Sequence, residues 1–484
     1  MPVEHVETRA GSYADSVTLM QVSTRVTAAA GVERAMVAMG TALNLDLLTG
    51  MGFALPPGTG PNDLVVAVRA EDEAALALAL ETVAGALAAR PVTGSFATSP
   101  PRTVGAALRE RDRAIALVSV PGPHAFAEAM DALDADTDVM IFSDNVPVEQ
   151  EIRLKDVAAE RGLLVLGPDC GTAVVAGIGL GFSHTLRPGP VGIVAASGTG
   201  AQQVLCLLDA AGVGVSAALG VGGRDLSAAV GARSTLAAMS ALDSDPGTDL
   251  IVVISKPPAA AVAEAVRAHA ATLGTPVRLA LLGPGNPDLT AATEQVLTDL
   301  GVAVPDWPAL PGRPPAGDGT ALVGLFSGGT LCDEAMLIAA DRLGPIASNI
   351  PLRPEDRTDP RAPWDGRHVM IDFGDDELTA GRPHPMIDPS LRTERLAAAG
   401  ADPRTRVVLL DVVLGHGAHP DPAGELAPVI AALDGPAVVA CVVGAERDPQ
   451  DRRAQMRVLH EAGAHVFTSN AAAARYACDL IEAR

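Results

Sequence analysis

The chain has 484 residues, too many for one ordinary core, so several domains are expected. A net charge of −23 and an aromatic content of 2% exclude nucleic-acid binding, which needs a basic face and stacking platforms. Apolar residues make up 48%, but they are alanine and valine dispersed among charges, and no run reaches the roughly 18 to 20 residues a membrane-spanning helix needs.

The start, MPVEHVETRAGSYADS, is polar and acidic and has no apolar signal core, so a cytoplasmic location is expected. Cys170, Cys206, Cys332, Cys441 and Cys478 are scattered and odd in number. They read as reduced, buried small residues, without the Cys/His spacing of a zinc site. Any anionic ligand must therefore be held by local backbone amides and a few chosen side chains.

In chain order, the first hundred residues predict a strand (17–23), a helix (28–39), an extended piece (44–48), a Gly/Pro loop, a strand (63–69) and a helix (73–89). That β-α-β-β-α order suits a ferredoxin-like unit over 1–95. SFATSPPR, 95–102, reads as the linker that closes it.

AIALVSVPG (114–122), TDVMIFSDNVP (137–147) and GLLVLGPDCGT (162–172) follow, separated by helix-like stretches. Short apolar runs bounded by turn residues are what strands buried on both faces look like, so a parallel, doubly wound, Rossmann-like domain is expected over 103–187.

From Pro190 the pattern repeats. VGIVAASGTGAQQVLCLLDAAG (191–212) is echoed by VGLFSGGTLCDEAMLIAADRLG (323–344), and DPGTDLIVVIS (245–255) by DPRTRVVLLDVVLG (402–415). Two matched landmarks in one order indicate a duplication, with copies over 189–304 and 318–484 and a proline-rich linker at 305–319. The second copy carries a Pro/Arg-rich insertion at 349–368.

Each copy thus has an apolar strand that stops in a Ser-Gly-Thr turn and becomes a helix. The first N–H groups of a helix lack internal partners and its dipole favours negative charge. If the copies pack about a pseudo-twofold axis, Ser197, Gly198, Thr199 and Gly200 come near Ser327, Gly328, Gly329 and Thr330, and one phosphate or acyl phosphate is expected between them. The bland alternative is that both turns only cap their helices.

Three further groups stand out. Gly-His-Gly-Ala-His places His416 and His419 at a strand end, where either would act as general acid/base or accept a phosphoryl group. Asp372, Asp375 and Asp376 would hold a divalent metal such as Mg2+ if one is used, against the alternative of a solvated loop. Arg224 and Asp225, in GVGGRDLS, are candidates for phosphate or carboxylate contact.

VPGPHAFAEAMDAL, DNVPVEQ, GLLVLGPDCGTAV, VGIVAASGTG and GVGGRDLS together resemble the α-subunit of succinyl-CoA synthetase, a nucleotide-fold CoA domain leading into a flavodoxin-like ligase domain. The second copy resembles the carboxy-terminal domain of that enzyme's β-subunit. With MQVSTRVTAAAGVERAMVAMGTALNLDLL in front, the whole chain is similar to the FdrA family.

The resemblance implies an α/β architecture of ferredoxin-like unit, Rossmann-like CoA-binding-type domain and two flavodoxin-like ligase domains. It also implies a phosphoryl group between facing helix ends. The relative's Gly-His-Ala-Gly histidine motif has no counterpart in VRLALLGPGNPDLTAATEQV, its glycine-rich CoA loop is missing before Ala114, and nothing resembles its ATP-grasp domain.

FdrA-type proteins are also associated with the AllF subunit of an oxamate carbamoyltransferase that works with AllG and AllH subunits. The reaction, oxalurate plus phosphate giving oxamate and carbamoyl phosphate, needs an acyl-phosphate site but neither CoA nor ATP-grasp. The leading expectation is therefore such a subunit, binding a small acyl or carbamoyl phosphate, with AllG-like and AllH-like partners and no cofactor established. An acyl-CoA synthetase binding CoA and passing phosphate through His416 is the alternative, and a non-catalytic scaffold or sensor the third.

Overall fold

The computed structural model describes residues 2–12, 14, 16–87, 101–109, 111, 114–379 and 382–483. The chain divides into two compact units, residues 1–102 with 379–383 and residues 103–378 with 384–484.

In the first unit the elements are β1 (Val3–Ala10), α1 (Ser16–Thr27), β2 (Val32–Met39), α2 (Ala42–Gly50), β3 (Asp63–Ala70) and α3 (Glu73–Leu87). Strand order is β1-β3-β2 with β3 antiparallel to both neighbours, a split β-α-β arrangement. Alternation along β3 sorts two cores: Leu64, Val66 and Val68 pack with Leu19, Val22, Val26 and Val83, whereas Val65 and Ala67 pack with Leu48 and Phe53.

Three of the predicted elements here are corrected. Residues 17–23 lie in helix α1, most of 28–39 is strand β2, and 44–48 is helical within α2. The β-branched residues of SVTLMQVSTRVT favour a strand by propensity, but Leu19, Val22 and Val26 fall at helical spacing and bury one face, so packing overrides propensity. Strand β1, absent from the predicted elements, adds a third strand beside β3. Residues 88–100, with most of the expected linker, lie outside the described residues.

The second unit opens with α4 (Val104–Leu108), β4 (Ile115–Val118), α5 (Gly122–Asp134), β5 (Asp138–Ile141), α6 (Val148–Arg161) and β6 (Val165–Leu166), a small parallel sheet in the order β4-β5-β6. A hairpin, β7 (Thr172–Val175) and β8 (Ile178–Gly181), then leaves that sheet and joins the next one through β10. Sequence places 172–181 with the Rossmann-like segment; strand pairing places it with the first copy.

The first copy continues with β9 (Pro188–Ala196), α7 (Gly198–Ala210), β10 (Val215–Gly220), α8 (Arg233–Asp243), β11 (Leu250–Ser255), α9 (Ala260–Ala270), β12 (Val277–Leu281) and α10 (Leu289–Asp299). Its sheet runs β12-β11-β9-β10-β7-β8.

The second copy comprises β13 (Ala309–Leu310), β14 (Ala321–Phe326), α11 (Gly329–Leu343), β15 (Val369–Asp372), α12 (Asp376–Thr379), α13 (Ser390–Ala401), β16 (Thr405–Val413), α14 (Pro422–Ala431), β17 (Ala437–Val443), α15 (Arg452–Glu461), β18 (His465–Phe467) and α16 (Asn470–Glu482). Its sheet runs β13-β18-β17-β16-β14-β15.

In both copies the first strand sits between the second and the third, the flavodoxin-like order, so β9 and β11, and likewise β14 and β16, flank a topological switch point. The copies meet through helices: α7 packs on α10 and α11, and α16 on α11 and α10. Every residue of α7 from Thr199 to Asp209 is buried, as a helix enclosed by two sheets and their partners requires.

Candidate functional site

The two Ser-Gly-Thr turns leave β9 and β14 at their carboxyl ends and come together. Ser197 Oγ donates to Thr330 Oγ1 at 2.7 Å and accepts from Gly200 N at 2.9 Å, so it caps α7 and bridges the copies at once. A Cβ on Gly328 would run into the Thr199 side chain, and one on Gly200 would come within 2.9 Å of Thr330 Cγ2. The turns therefore close on each other, and the gap expected to hold an anion is filled by their own atoms at this point.

Ser327 is fully engaged. Its N–H and Oγ both donate to Asp411 Oδ1, at 2.8 and 2.9 Å, and Arg392 donates to the same oxygen at 2.5 Å. Burial pushes the Asp411 carboxyl up while Arg392 and Ser327 hold it back. This buried network fixes the turn and leaves Ser327 no free donor.

The two helix ends differ. Helix α7 has its Ser197 cap, whereas α11 has Gly328 in the cap position and so no side-chain cap, and its first-turn amides keep the orphan donors of a helix N-terminus. Over that end lies a group the sequence reading did not single out. A Cβ on Gly329 would lie 2.8 Å from Lys256 Nζ and 2.7 Å from Asp372 Oδ2. Only glycine leaves room for both.

Lys256 follows β11 directly, and Asp372 ends β15, so each stands at a sheet's carboxyl edge. Asp333, one turn into α11 on the same face as Gly329, has its Oδ2 4.0 Å from Lys256 Nζ. Asn349, at the start of the insertion, pins Asp372 from behind by accepting from its N–H and donating to its carbonyl, at 3.0 and 2.9 Å.

Electrostatics follow from burial. Desolvation raises Asp372 to about 7, against the pull of Lys256 and of the Gly374 amide that donates to its Oδ1. Desolvation likewise raises Asp333 to about 6, opposed by Lys256. For Lys256 burial acts downward, but Asp333, Asp372 and Asp169 outweigh it and hold the ammonium above its ordinary value. His384, close to Asp372 across Gly374, is lowered to about 4 by burial and by Arg392, so its imidazole is neutral.

The other expected site residues lie elsewhere. His416 is exposed and its Nε2 pairs with Thr185 Oγ1 at 3.1 Å; His419 Nδ1 accepts from Asp421 N at 3.1 Å. Neither ring bonds to a residue of the two turns. Asp225 is buried and accepts from Ser234 N, Thr235 N and Thr235 Oγ1 at the start of α8, and from Lys155 Nζ. Arg224 pairs with Glu151 at 2.9 Å and donates to Val146 O. These two residues join the first copy to the preceding sheet.

Among the described residues no three His, Cys, Asp or Glu side chains gather as a metal ion would need. Asp372 faces an ammonium where a divalent cation was expected, and the Asp376 side chain lies outside the described residues. No helix among the described residues is long and apolar enough to cross a membrane.

Comparison with known proteins places this arrangement. Residues 1–100 match the family model described as AllF, heavy metal-associated domain, and residues 325–480 match the model described as CoA-ligase. YahF of Escherichia coli K12 is 37% identical over 490 aligned positions, covering 95% of each chain. The chain belongs to the FdrA/AllF-like family. It is thereby related to acyl-CoA synthetases of the succinyl-CoA ligase type.

The α-subunit of an ADP-forming succinate–CoA ligase from Methanothermobacter thermautotrophicus is 29% identical over 150 residues, 30% of this chain and 50% of that one. A dinucleotide-forming acetyl-coenzyme A synthetase from Ca. Korarchaeum cryptofilum superposes over 81% of this chain and 87% of its own at 15% identity, with a TM-score of 0.29, too loose to carry an argument. The first domain's family name refers to a heavy metal, yet residues 1–100 contain no cysteine, and their one histidine, His5, sits 3.6 Å from Glu7. A thiolate site for a soft metal does not fit this family member.

Proposed function

We propose that this chain is a subunit of a carbamoyltransferase that binds an acyl phosphate at the uncapped end of α11, forming carbamoyl phosphate and oxamate from phosphate and oxalurate with AllG-like and AllH-like partner subunits in the cytoplasm. The observation that carries the reading is Lys256 Nζ poised over Gly329 at the first turn of α11. Orphan amides, a helix dipole and one ammonium make a site for a phosphoryl group without CoA, nucleotide or resident metal.

In the reaction, a phosphate oxygen attacks the ureido carbonyl, the bond to the oxamate nitrogen breaks, and the proton lost by phosphate ends on that nitrogen. Lys256 and the α11 amides would orient phosphate and stabilise its charge as the new C–O bond forms. No step is assigned to His416 or His419. The test is an assay of the chain with its partner subunits for carbamoyl phosphate from oxalurate and phosphate. Product is expected from the complex and at least a hundredfold less from Lys256→Met; a complex that forms none defeats the reading.

A second reading, an acyl-CoA synthetase, is favoured by the CoA-ligase match over 325–480. It requires CoA binding, and calorimetric titration with CoA separates the two.

A further inference from the structure

Behind the turn that leads to Gly329, Arg392 is 3% exposed, and its Nη1 donates to both Asp411 O, at 2.7 Å, and Asp411 Oδ1. Those bonds use one nitrogen. Nε is buried and has no acceptor among the described residues. In a planar guanidinium, Nε–H and one Nη2–H form a fork on the edge facing away from Nη1, so the Asp411 carboxylate held at Nη1 does not reach it. Asp411 Oδ2 is also buried without a partner, so the pair does not close on itself. An unmet donor in the interior is costly, and more so on a charged group.

Two other guanidiniums keep an unbonded Nε, but each has an outlet for its charge. Arg395 lies over the Trp364 ring at 4.3 Å, and Arg452 pairs with the exposed Glu446 at 3.1 Å. Arg392 has Asp411 alone, and burial outweighs that one partner, holding the guanidinium pKa below its ordinary value. An open arginine fork fits two oxygens of one group. A cation already shared with Asp411 suits a monoanion with two coplanar oxygens; a phosphate dianion would bring further oxygens and a second charge.

We infer that the Nε/Nη2 edge of Arg392 is a subsite for the carboxylate of a small organic acid. The subsite is read from Arg392 itself and holds whether the reaction is carbamoyl transfer or acyl-CoA formation. It adjoins the phosphoryl site through the chain: Asp411 accepts from the N–H and Oγ of Ser327, two residues before Gly329.

The test follows the Arg392 Nε–H directly. In proton–nitrogen correlation spectra of the arginine Nε–H groups of the full chain, the signal missing from Arg392→Lys belongs to Arg392. Acetate should move that signal downfield, whereas acetamide, of the same shape without the carboxylate, should not. Titration at constant ionic strength should show acetate binding about tenfold tighter or more. Arg392→Lys keeps a cation for Asp411 but has no fork, so it should lose about tenfold or more in acetate affinity while inorganic phosphate affinity stays within about threefold. Arg392→Met with Asp411→Asn removes both charges together, keeps an oxygen for the Ser327 donors and should bind no acetate. Thermal melting shows which variants are folded, and the double variant serves if the single one is not.

Equal binding of acetate and acetamide, a signal that acetate leaves in place, or wild-type acetate affinity in a folded variant assigns the edge to water and overturns the inference. The acyl-phosphate reading is judged apart from this, by phosphate binding that depends on Lys256.

Discussion

Ser197 Oγ donates to Thr330 Oγ1 at 2.7 Å across the buried boundary between the two copies, joining the turn after β9 to the turn after β14. The bond has different company at its two ends: Ser197 also accepts from Gly200 N as the cap of α7, whereas Thr330 sits inside the uncapped first turn of α11. Ser197→Ala should therefore cost about 2 kcal/mol, the bond plus the cap, and Thr330→Val about 1 kcal/mol. A double-mutant cycle by chemical denaturation should give a coupling of about 1 kcal/mol, and a coupling near zero would show that the hydroxyls do not meet.

Adjacent glycines in the second turn should respond in opposite ways. A Cβ on Gly328 strikes Thr199 at its Cβ as well as its outer atoms, against a fully buried helix, so Gly328→Ala should destabilise the chain by about 1–3 kcal/mol. A Cβ on Gly329 meets only the ends of the Lys256 and Asp372 side chains, which can swing aside. Gly329→Ala should thus melt within a few degrees of wild type yet lose most phosphate affinity. Isothermal titration and thermal melting of the two variants separate the packing turn from the binding turn.

The duplication and the switch-point turns were legible because both are local: matched strands, Gly-rich junctions and helix starts repeat in one order. Asp372 and Gly329 could be singled out as chemistry-bearing, but not as neighbours, since 43 positions and a chain insertion separate them. Lys256 stayed hidden. It follows the strand DLIVVIS as an ordinary solvated lysine would, and only the meeting of the copies brings it over α11. Glycines flanking His416 and His419 suggested chemistry, whereas in the fold Gly415 makes room for His184 and Gly417 for Phe182.

Buried carboxylates should give the chain an acid-side stability optimum. Glu334, fully enclosed, is raised to about 7 by desolvation and by Asp288, although Asn470 and the Leu289 amide donate to it. Between its ordinary value of 4.5 and about 7 the unfolded chain binds fewer protons, so stability falls as pH rises through that window, by on the order of 3 kcal/mol for Glu334. Asp333 and Asp372 act in the same sense. Burial alone would raise Asp448 too, but bonds from His184, Thr185 and Ala445 hold it below its ordinary 3.8; its contribution is present above that value and lost as pH falls through its folded pKa. Melting temperature should peak at mildly acidic pH, and Glu334→Gln should flatten the decline between pH 5 and 7.5. A profile still rising to pH 8 would contradict this.

The join between the first copy and the sheet before it turns on Lys155. Its Nζ donates to Glu151 at 2.7 Å, Asp225 at 2.8 Å and Val221 O at 3.1 Å, with all three side chains enclosed. Lys155→Met removes the ammonium and leaves two buried carboxylates, so a loss of about 3–5 kcal/mol is expected. Arg224 is half-exposed and meets the same Glu151 from outside, so Arg224→Ala should cost no more than about 1 kcal/mol. Because Arg224 and Asp225 bond within this join, Arg224→Ala should also bind inorganic phosphate with wild-type affinity. A tenfold loss there would return Arg224 to the ligand and shift the anion site away from the end of α11.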